Sequence, residues 1–283
     1  MIPLVALSSA AHAKKPTSVG GSPPAGPVEP VAPTQMDKVF PQVVHLQYVR
    51  KLVLDPGHGG DNLGTLGVLG IREKALTLEI SKRAAAYIRA HSDVEVALTR
   101  DADLPLALRD RPRIANELKG DALISVHANF HEAGEAQGME VFFLAAESSV
   151  EATKQLIERE EGIRADDATA ALPWSVGAIV SDLNVQAAHR RSEAFASGLA
   201  TGLKKTRPKA RFRGVRQAPF GVLKEAKMPA LVFEVGYLSH PVEARTLLEP
   251  AVQVQFAQAM LLAIIKLDKQ LAAEQAHGKL KHK

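Results

Sequence analysis

The chain has 283 residues, no cysteine and a formal net charge of +4, with 46% hydrophobic and 5% aromatic residues. That length allows one large domain or two small ones with a full core, and the composition excludes thiol redox chemistry and cysteine metal ligands. The mild positive charge comes without a basic block interleaved with aromatics, which argues against nucleic acid as a partner.

Residues 1–13 form a short apolar start that ends in Ala11-His12-Ala13 and is followed by Lys14 and Lys15. An A-x-A-like ending of this kind is a cleavage signature, so 1–13 reads as a truncated signal peptide and the protein as periplasmic or otherwise exported. The absence of cysteine suits an oxidising compartment. Residues 14–48 are rich in Pro, Gly and Ser and read as a flexible linker. Leu52-Val53-Leu54 is a short apolar strand running into the turn Asp55-Pro56-Gly57-His58-Gly59-Gly60. A helix is predicted over about 73–90, because Leu76, Ile80, Ala84 and Ile88 recur at helical spacing. Val94, Val96 and Leu98 alternate as a half-buried strand, and 122–126, 139–144 and 230–235 read as further strands. Helices are expected over about 191–205 and 251–271. Pro241 and Glu243 stand at N1 and N3 of another after His240. Strands alternating with helices predict an α/β fold, a central mostly parallel or mixed sheet covered by helices on both sides. Residues 147–190 break that rhythm with a charged helical stretch and an apolar patch around Ala178-Ile179-Val180 and Leu183, read as a helical insertion. After the start, no apolar run is expected to span a membrane, and 269–283 reads as a basic tail.

In open α/β sheets, ligands gather beyond the carboxyl ends of the strands. His58 lies just past the first strand, His127 ends the run Leu123–Val126, and Glu234 sits within Leu231–Val235. Glu73 opens the helix that follows the His58 loop. Two histidines and a carboxylate are a ligand set for catalytic zinc that leaves one position open, and a further carboxylate can serve as base. Plainer roles exist for these residues: a loop histidine, or a Glu73 favoured by the helix dipole. Glu234 resists such a role, because an ionised Glu in an apolar strand is costly unless paired. The glycines around His58 suggest close backbone approach to a ligand. No HExxH pair is present.

The blocks LVLDPGHGG (52–60), GIREKALTLEIS (70–81), ALTRDADLPLALRDRPRIAN (97–116), DALISVHANF (121–130), GMEVFFL (138–144), GVLKEAKMPALVFEVGYLSHP (221–241) and QFAQAMLLAI (255–264) follow one another in the chain. Together they resemble the zinc-dependent N-acetylmuramoyl-L-alanine amidases, in particular the catalytic domain of the cell-division type, over about residues 49–268. The resemblance implies Zn2+ held by His58, Glu73 and His127, with Glu234 as the catalytic carboxylate. It implies hydrolysis of the amide between N-acetylmuramic acid and L-alanine in peptidoglycan, in cell-wall remodelling or daughter-cell separation. Asn129, two residues after a ligand, is expected to contact substrate. The resemblance also implies that 147–190 covers the zinc until an activator protein displaces it, with Glu160 or Glu161 as the inhibitory carboxylate. The chain departs from the family pattern at His240, usually Asn, and at Val235, usually Thr. Two rival readings are a zinc peptidase acting on stem peptides and a non-catalytic peptidoglycan-binding module. The latter expects a missing ligand or base, and all four residues are present.

Overall fold

The computed structural model describes residues 42–144 and 183–280. Their order is β1 (Lys51–Pro56), α1 (Glu73–His91), β2 (Glu95–Leu98), α2 (Asp110–Glu117), β3 (Ala122–Asn129), β4 (Met139–Phe143), α3 (Leu183–Thr206), β5 (Phe212–Gln217), α4 (Gly221–Lys224), β6 (Ala230–Tyr237), α5 (Pro241–Leu247) and α6 (Pro250–Leu280). The strands form one sheet in the order β2-β1-β3-β6-β4-β5. Pairing is parallel except between β4 and β6, which run antiparallel, so the sheet is mixed.

The period of two along each strand sorts side chains into two layers. Leu52, Leu54, Ile124, Val126, Leu231 and Phe233 pack against Leu76, Ile80, Phe195, Leu199, Phe256 and Met260 of α1, α3 and α6. Val53, Leu123, Phe142 and Val232 meet a smaller cluster that includes Ala115, Phe220, Val222 and Leu223. One step of two along each strand then carries Asp55, Ser125, Glu140 and Glu234 onto this thinner side, and His127 lies one step further. Register aligns them across the sheet: Asp55 with Ser125, His127 with Glu234, and Glu234 with Glu140. A row of ionisable groups therefore faces the lightly covered side.

Several boundaries differ from the sequence expectation. Helix α3 begins at Leu183, before Arg191 and inside the span 147–190. Helix α6 runs to Leu280, so most of the expected basic tail continues the helix. By length and composition Pro250–His277 could cross a membrane, contrary to the reading that no such run follows the start. It is a core helix instead: 67% of its most apolar window is buried, with Phe256, Met260, Leu261 and Ile264 inside. Strand β5, with its sequence FRGVRQ, and helix α2 were not expected. Residues 1–41 and 145–182, which hold the signal-peptide expectation, most of the linker, Glu160 and Glu161, lie outside the described residues.

The end of the expected linker is tied down. Val44 pairs with Ser92, and Leu46 and Val49 are buried. Asp268 of α6 accepts the backbone N–H groups of Gln47, Tyr48 and Val49. Its removal strands three amides that share one charged acceptor. Asp268→Ala is expected to lower unfolding free energy by about 2–3 kcal/mol in chemical denaturation, and Asp268→Asn, which keeps an acceptor oxygen, by less. Equal stability of Asp268→Ala and the parent protein would contradict this anchoring.

Candidate metal centre

The chain leaves β1 through a turn in which His58 adopts a φ of 59°. Few residues other than glycine adopt that conformation, so something must hold it. Two buried arginines grip the turn by its carbonyls. Arg111 donates from Nη2 to His58 O at 2.7 Å and from Nη1 to Pro56 O at 2.8 Å. Arg100 donates from Nε to Pro56 O at 3.0 Å and from Nη2 to Gly57 O at 2.6 Å. Asp55 balances this charge, accepting from Arg111 Nη1 at 2.9 Å and from the hydroxyls of Thr99 and Ser125. Burial alone would raise the Asp55 pKa, but the Arg111 charge and the two hydroxyls outweigh it and hold the carboxyl below its ordinary value. Burial and the Arg111 charge push Arg100 down to about 10, which leaves it cationic at neutral pH.

The glycines of this turn make room for protein atoms. A Cβ on Gly57 would sit 2.5 Å from the His127 ring, and one on Gly60 would meet Pro105 at 2.6 Å. The close approach expected from the sequence is thus, at these positions, an approach to His127 and Pro105.

Glu73, the first residue of α1, is fully buried. Its Oε1 lies 2.9 Å from His58 Nε2 and 3.2 Å from His127 Nδ1, and accepts the Ala128 N–H at 3.0 Å. Its Oε2 accepts the Thr65 N–H at 3.0 Å. One ligand atom from each of His58, Glu73 and His127 lies within 4.8 Å of the others. Burial favours a protonated Glu73, but hydrogen bonds and charge from the two imidazoles outweigh it and hold its pKa well below the usual carboxylate range. His58 Nδ1 is 2.9 Å from Asn62 Oδ1, which also accepts the Gly64 N–H. Oδ1 being an acceptor, one imidazole proton belongs on Nδ1, so Nε2 is the atom that faces Glu73 and is left with its lone pair there once its own proton is lost.

Glu234, fully buried, pairs in register with His127 across β3 and β6 on the same face. On its other side stands Glu140 of β4. Glu140 accepts from Asn129 Nδ2 at 3.2 Å, Tyr237 Oη at 3.1 Å and Arg213 Nε at 3.0 Å, with Arg216 Nε at 3.2 Å. Burial and the Glu140 charge push the Tyr237 hydroxyl pKa upward, so it stays a donor. Asn129, the expected substrate contact, is buried and holds Glu140. Beside the two imidazoles opens a cavity of about 360 Å³, lined by His58, Asn62, Leu106, Leu108, His127 and Val222 among others.

The structure thus brings His58, Glu73, His127 and Glu234 to one place. Sequence reasoning missed Asp55, Asn62, Arg100, Arg111 and Glu140. Glu140 carried the same signal as Glu234, an ionisable residue in an apolar strand. The two departures from the family pattern fall outside this cluster. His240 caps α5, its Nδ1 accepting the Glu243 N–H at 3.2 Å, a role that Asn also fills. Val235 packs in the larger core, on the face opposite Glu234.

The family profile described as N-acetylmuramoyl-L-alanine amidase matches residues 52–266. The N-acetylmuramoyl-L-alanine amidase AmiA of Escherichia coli K12 is 31% identical over 236 residues, covering 81% of this chain and 80% of its own. Among solved structures, the N-acetylmuramoyl-L-alanine amidase AmiC2 of Nostoc punctiforme is 27% identical with a TM-score of 0.57, over 76% of this chain and 95% of that one. The catalytic domain of the amidase CwlV from Bacillus (Paenibacillus) polymyxa is 25% identical with the same TM-score, over 76% and 96%. With the profile spanning most of its length, the chain belongs to the N-acetylmuramoyl-L-alanine amidase family.

Proposed function

We propose that the protein hydrolyses the amide between N-acetylmuramic acid and L-alanine in peptidoglycan, with zinc held by His58, Glu73 and His127 and Glu234 as general base. The observation that carries this reading is the buried N, O, N donor set, with Glu234 as the registered neighbour of His127. Zinc dependence is characteristic of the family. The donor set fits the metal: an ionised carboxylate and two imidazoles, one of them oriented by Asn62, converge on one point and would hold zinc as a two-histidine, one-carboxylate set. Zinc bound there would supply Lewis acidity, for activating water and polarising the substrate carbonyl.

The chain's own residues do the rest. Glu234 takes a proton from the attacking water and returns it to the departing amine. Glu234 is fully buried, which keeps competing water from its carboxylate. The arginine grip and Asn62 keep His58 in its unusual conformation. Asn129 stands on the same face as His127, and any contact it makes with substrate runs through the Glu140 cluster that it holds.

Digestion of purified peptidoglycan by the zinc-loaded protein tests the reading. The expected products are peptides with a free N-terminal L-alanine and glycan strands bare of peptide. Cut stem peptides still attached to muramic acid would establish the peptidase reading in its place, and no cleavage would favour the binding module. The substrate lies outside the cytoplasm, in keeping with export directed by residues 1–13. We also propose that 147–190 restrains the site until an activator protein docks on it, with Glu160 or Glu161 as the blocking carboxylate; the support is its charged helical pattern followed by an apolar patch. Because α3 begins at Leu183, the deletion that tests this stops at 181. Removing 151–181 should raise turnover, and unchanged turnover in a folded deletant would end the regulatory reading.

A further inference from the structure

The cavity beside the two imidazoles has two walls. One is the His58 turn, with Asp61 and Asn62, and the other is the stretch from Pro105 to Leu108. The second wall lies in the connection between β2 and α2, residues 99–109, which carries no helix or strand. Its tip, 101–105, is exposed, with Leu104 54% open to solvent. No helical or sheet bonding fixes such a loop, so side chains must set its distance from the turn.

One ion pair ties the tip to the turn. Asp103 Oδ1 accepts the Gly60 N–H at 2.8 Å, and Oδ2 accepts from Lys74 Nζ at 2.7 Å. Lys74 Nζ also donates to Gly60 O at 2.8 Å. This one pair therefore takes up both backbone groups of Gly60, two residues past His58, and Lys74 is the residue that follows Glu73. Gly60 has a φ of 57°, and a Cβ there would meet Pro105 N at 2.6 Å, so turn and wall already touch. Deeper in, Arg111 Nη2 donates to Leu106 O at 3.3 Å, but that guanidinium also serves Asp55 and the His58 turn. Asp103 differs in being 55% exposed. Its removal strands no fully buried charge, because Lys74, itself 15% exposed, keeps its bond to Gly60 O.

Because His58 and His127 both line the cavity, an amide that reaches these ligands places its flanking atoms between the two walls. Leu106, Leu108 and Val222 give the cavity an apolar side, suited to an uncharged group. The hold on that group depends on how far apart the walls stand. We propose that Asp103, kept in place by Lys74, is a positioning residue: it pins the 103–108 wall to Gly60 and so sets the width of the cavity for the atoms that flank the scissile amide. This rests on the amidase reading above.

The test uses the zinc-loaded full chain, its Asp103→Ala, Asp103→Asn and Lys74→Met variants, the Asp103→Ala/Lys74→Met double variant and a soluble muramoyl peptide. Asp103→Ala should raise KM by roughly 5–10-fold with kcat within about twofold of the parent protein, the scale of the bonds lost. Zinc content and thermal midpoint should hold, since an ion pair this exposed adds little stability. Asp103→Asn, which can still accept the Gly60 N–H, should recover part of the loss in KM. The double variant should be no worse than the worse single one, because both changes cut the same tie. Unchanged KM in Asp103→Ala, or fully additive effects, overturns the proposal, while continued cleavage leaves the amidase reading standing. A fall in kcat together with zinc loss also overturns it, placing the pair's effect on the metal turn. If the parent protein cleaves nothing, the amidase reading falls, and fluorescence anisotropy of the labelled muramoyl peptide decides the tie. Weaker binding by Asp103→Ala then upholds it, and equal binding overturns it.

Discussion

Glu234→Gln should lower kcat by roughly 10²–10⁴-fold while the protein keeps its zinc, the range that a positioned general acid–base supplies. The substitution preserves volume in a fully buried strand position, so the fold has no reason to change. It removes the one property the role requires, a carboxylate able to take and return a proton. Glu234 is the register partner of His127 and is not among the three donors that converge within 4.8 Å, so metal content should be independent of it. Steady-state turnover and metal analysis on one preparation check both halves. Activity near that of the parent protein would remove Glu234 from its role, and loss of zinc would make it a ligand.

Arg111→Met should destabilise the protein by about 3–5 kcal/mol, because it leaves Asp55 buried without its counter-ion. The same change takes a donor from His58 O, and a released turn should weaken zinc binding as well, by roughly 10–100-fold. The pH dependence has a definite sign. In the parent protein Asp55 is held below its ordinary value, so its stabilisation is present above the unfolded pKa and is lost as pH falls through the folded one. Without Arg111 burial dominates and the folded pKa should rise above the unfolded value, so the penalty is full at neutral pH and shrinks on acidification. The stability gap between the two proteins should therefore narrow between about pH 7 and pH 4. Adding Asp55→Asn to Arg111→Met should recover much of the loss, since the Thr99 and Ser125 hydroxyls can still be satisfied. A gap that is constant with pH and unrelieved by Asp55→Asn would show that the pair is not what Arg111 provides.

The site was legible where its chemistry coincides with strand ends. His58, His127 and Glu234 stand out because each interrupts or terminates an apolar run, and Glu73 because it opens a helix. The supports were hidden for a physical reason. Arg100 and Arg111 lie in a stretch rich in charge that reads as surface, and only the tertiary fold carries their guanidinium groups under the His58 turn. Strand β5 escaped because the bulge at Gly214 breaks the alternation by which strands are recognised, so FRGVRQ shows no period of two. The continuation of α6 to Leu280 escaped because residues past Leu271 are polar and exposed, and an exposed helical end carries no apolar stripe. Glu140 was open to the reasoning that found Glu234, and register shows the two side by side.

The most direct test of the central claim is zinc content measured together with peptidoglycan cleavage, on the parent protein and on His127→Ala. The account predicts about one zinc per chain and release of peptides with a free N-terminal L-alanine by the parent protein. Both should be lost in His127→Ala while far-ultraviolet circular dichroism shows the fold retained. A folded His127→Ala protein that still holds zinc and still cleaves would contradict the assignment of the metal to His58, Glu73 and His127.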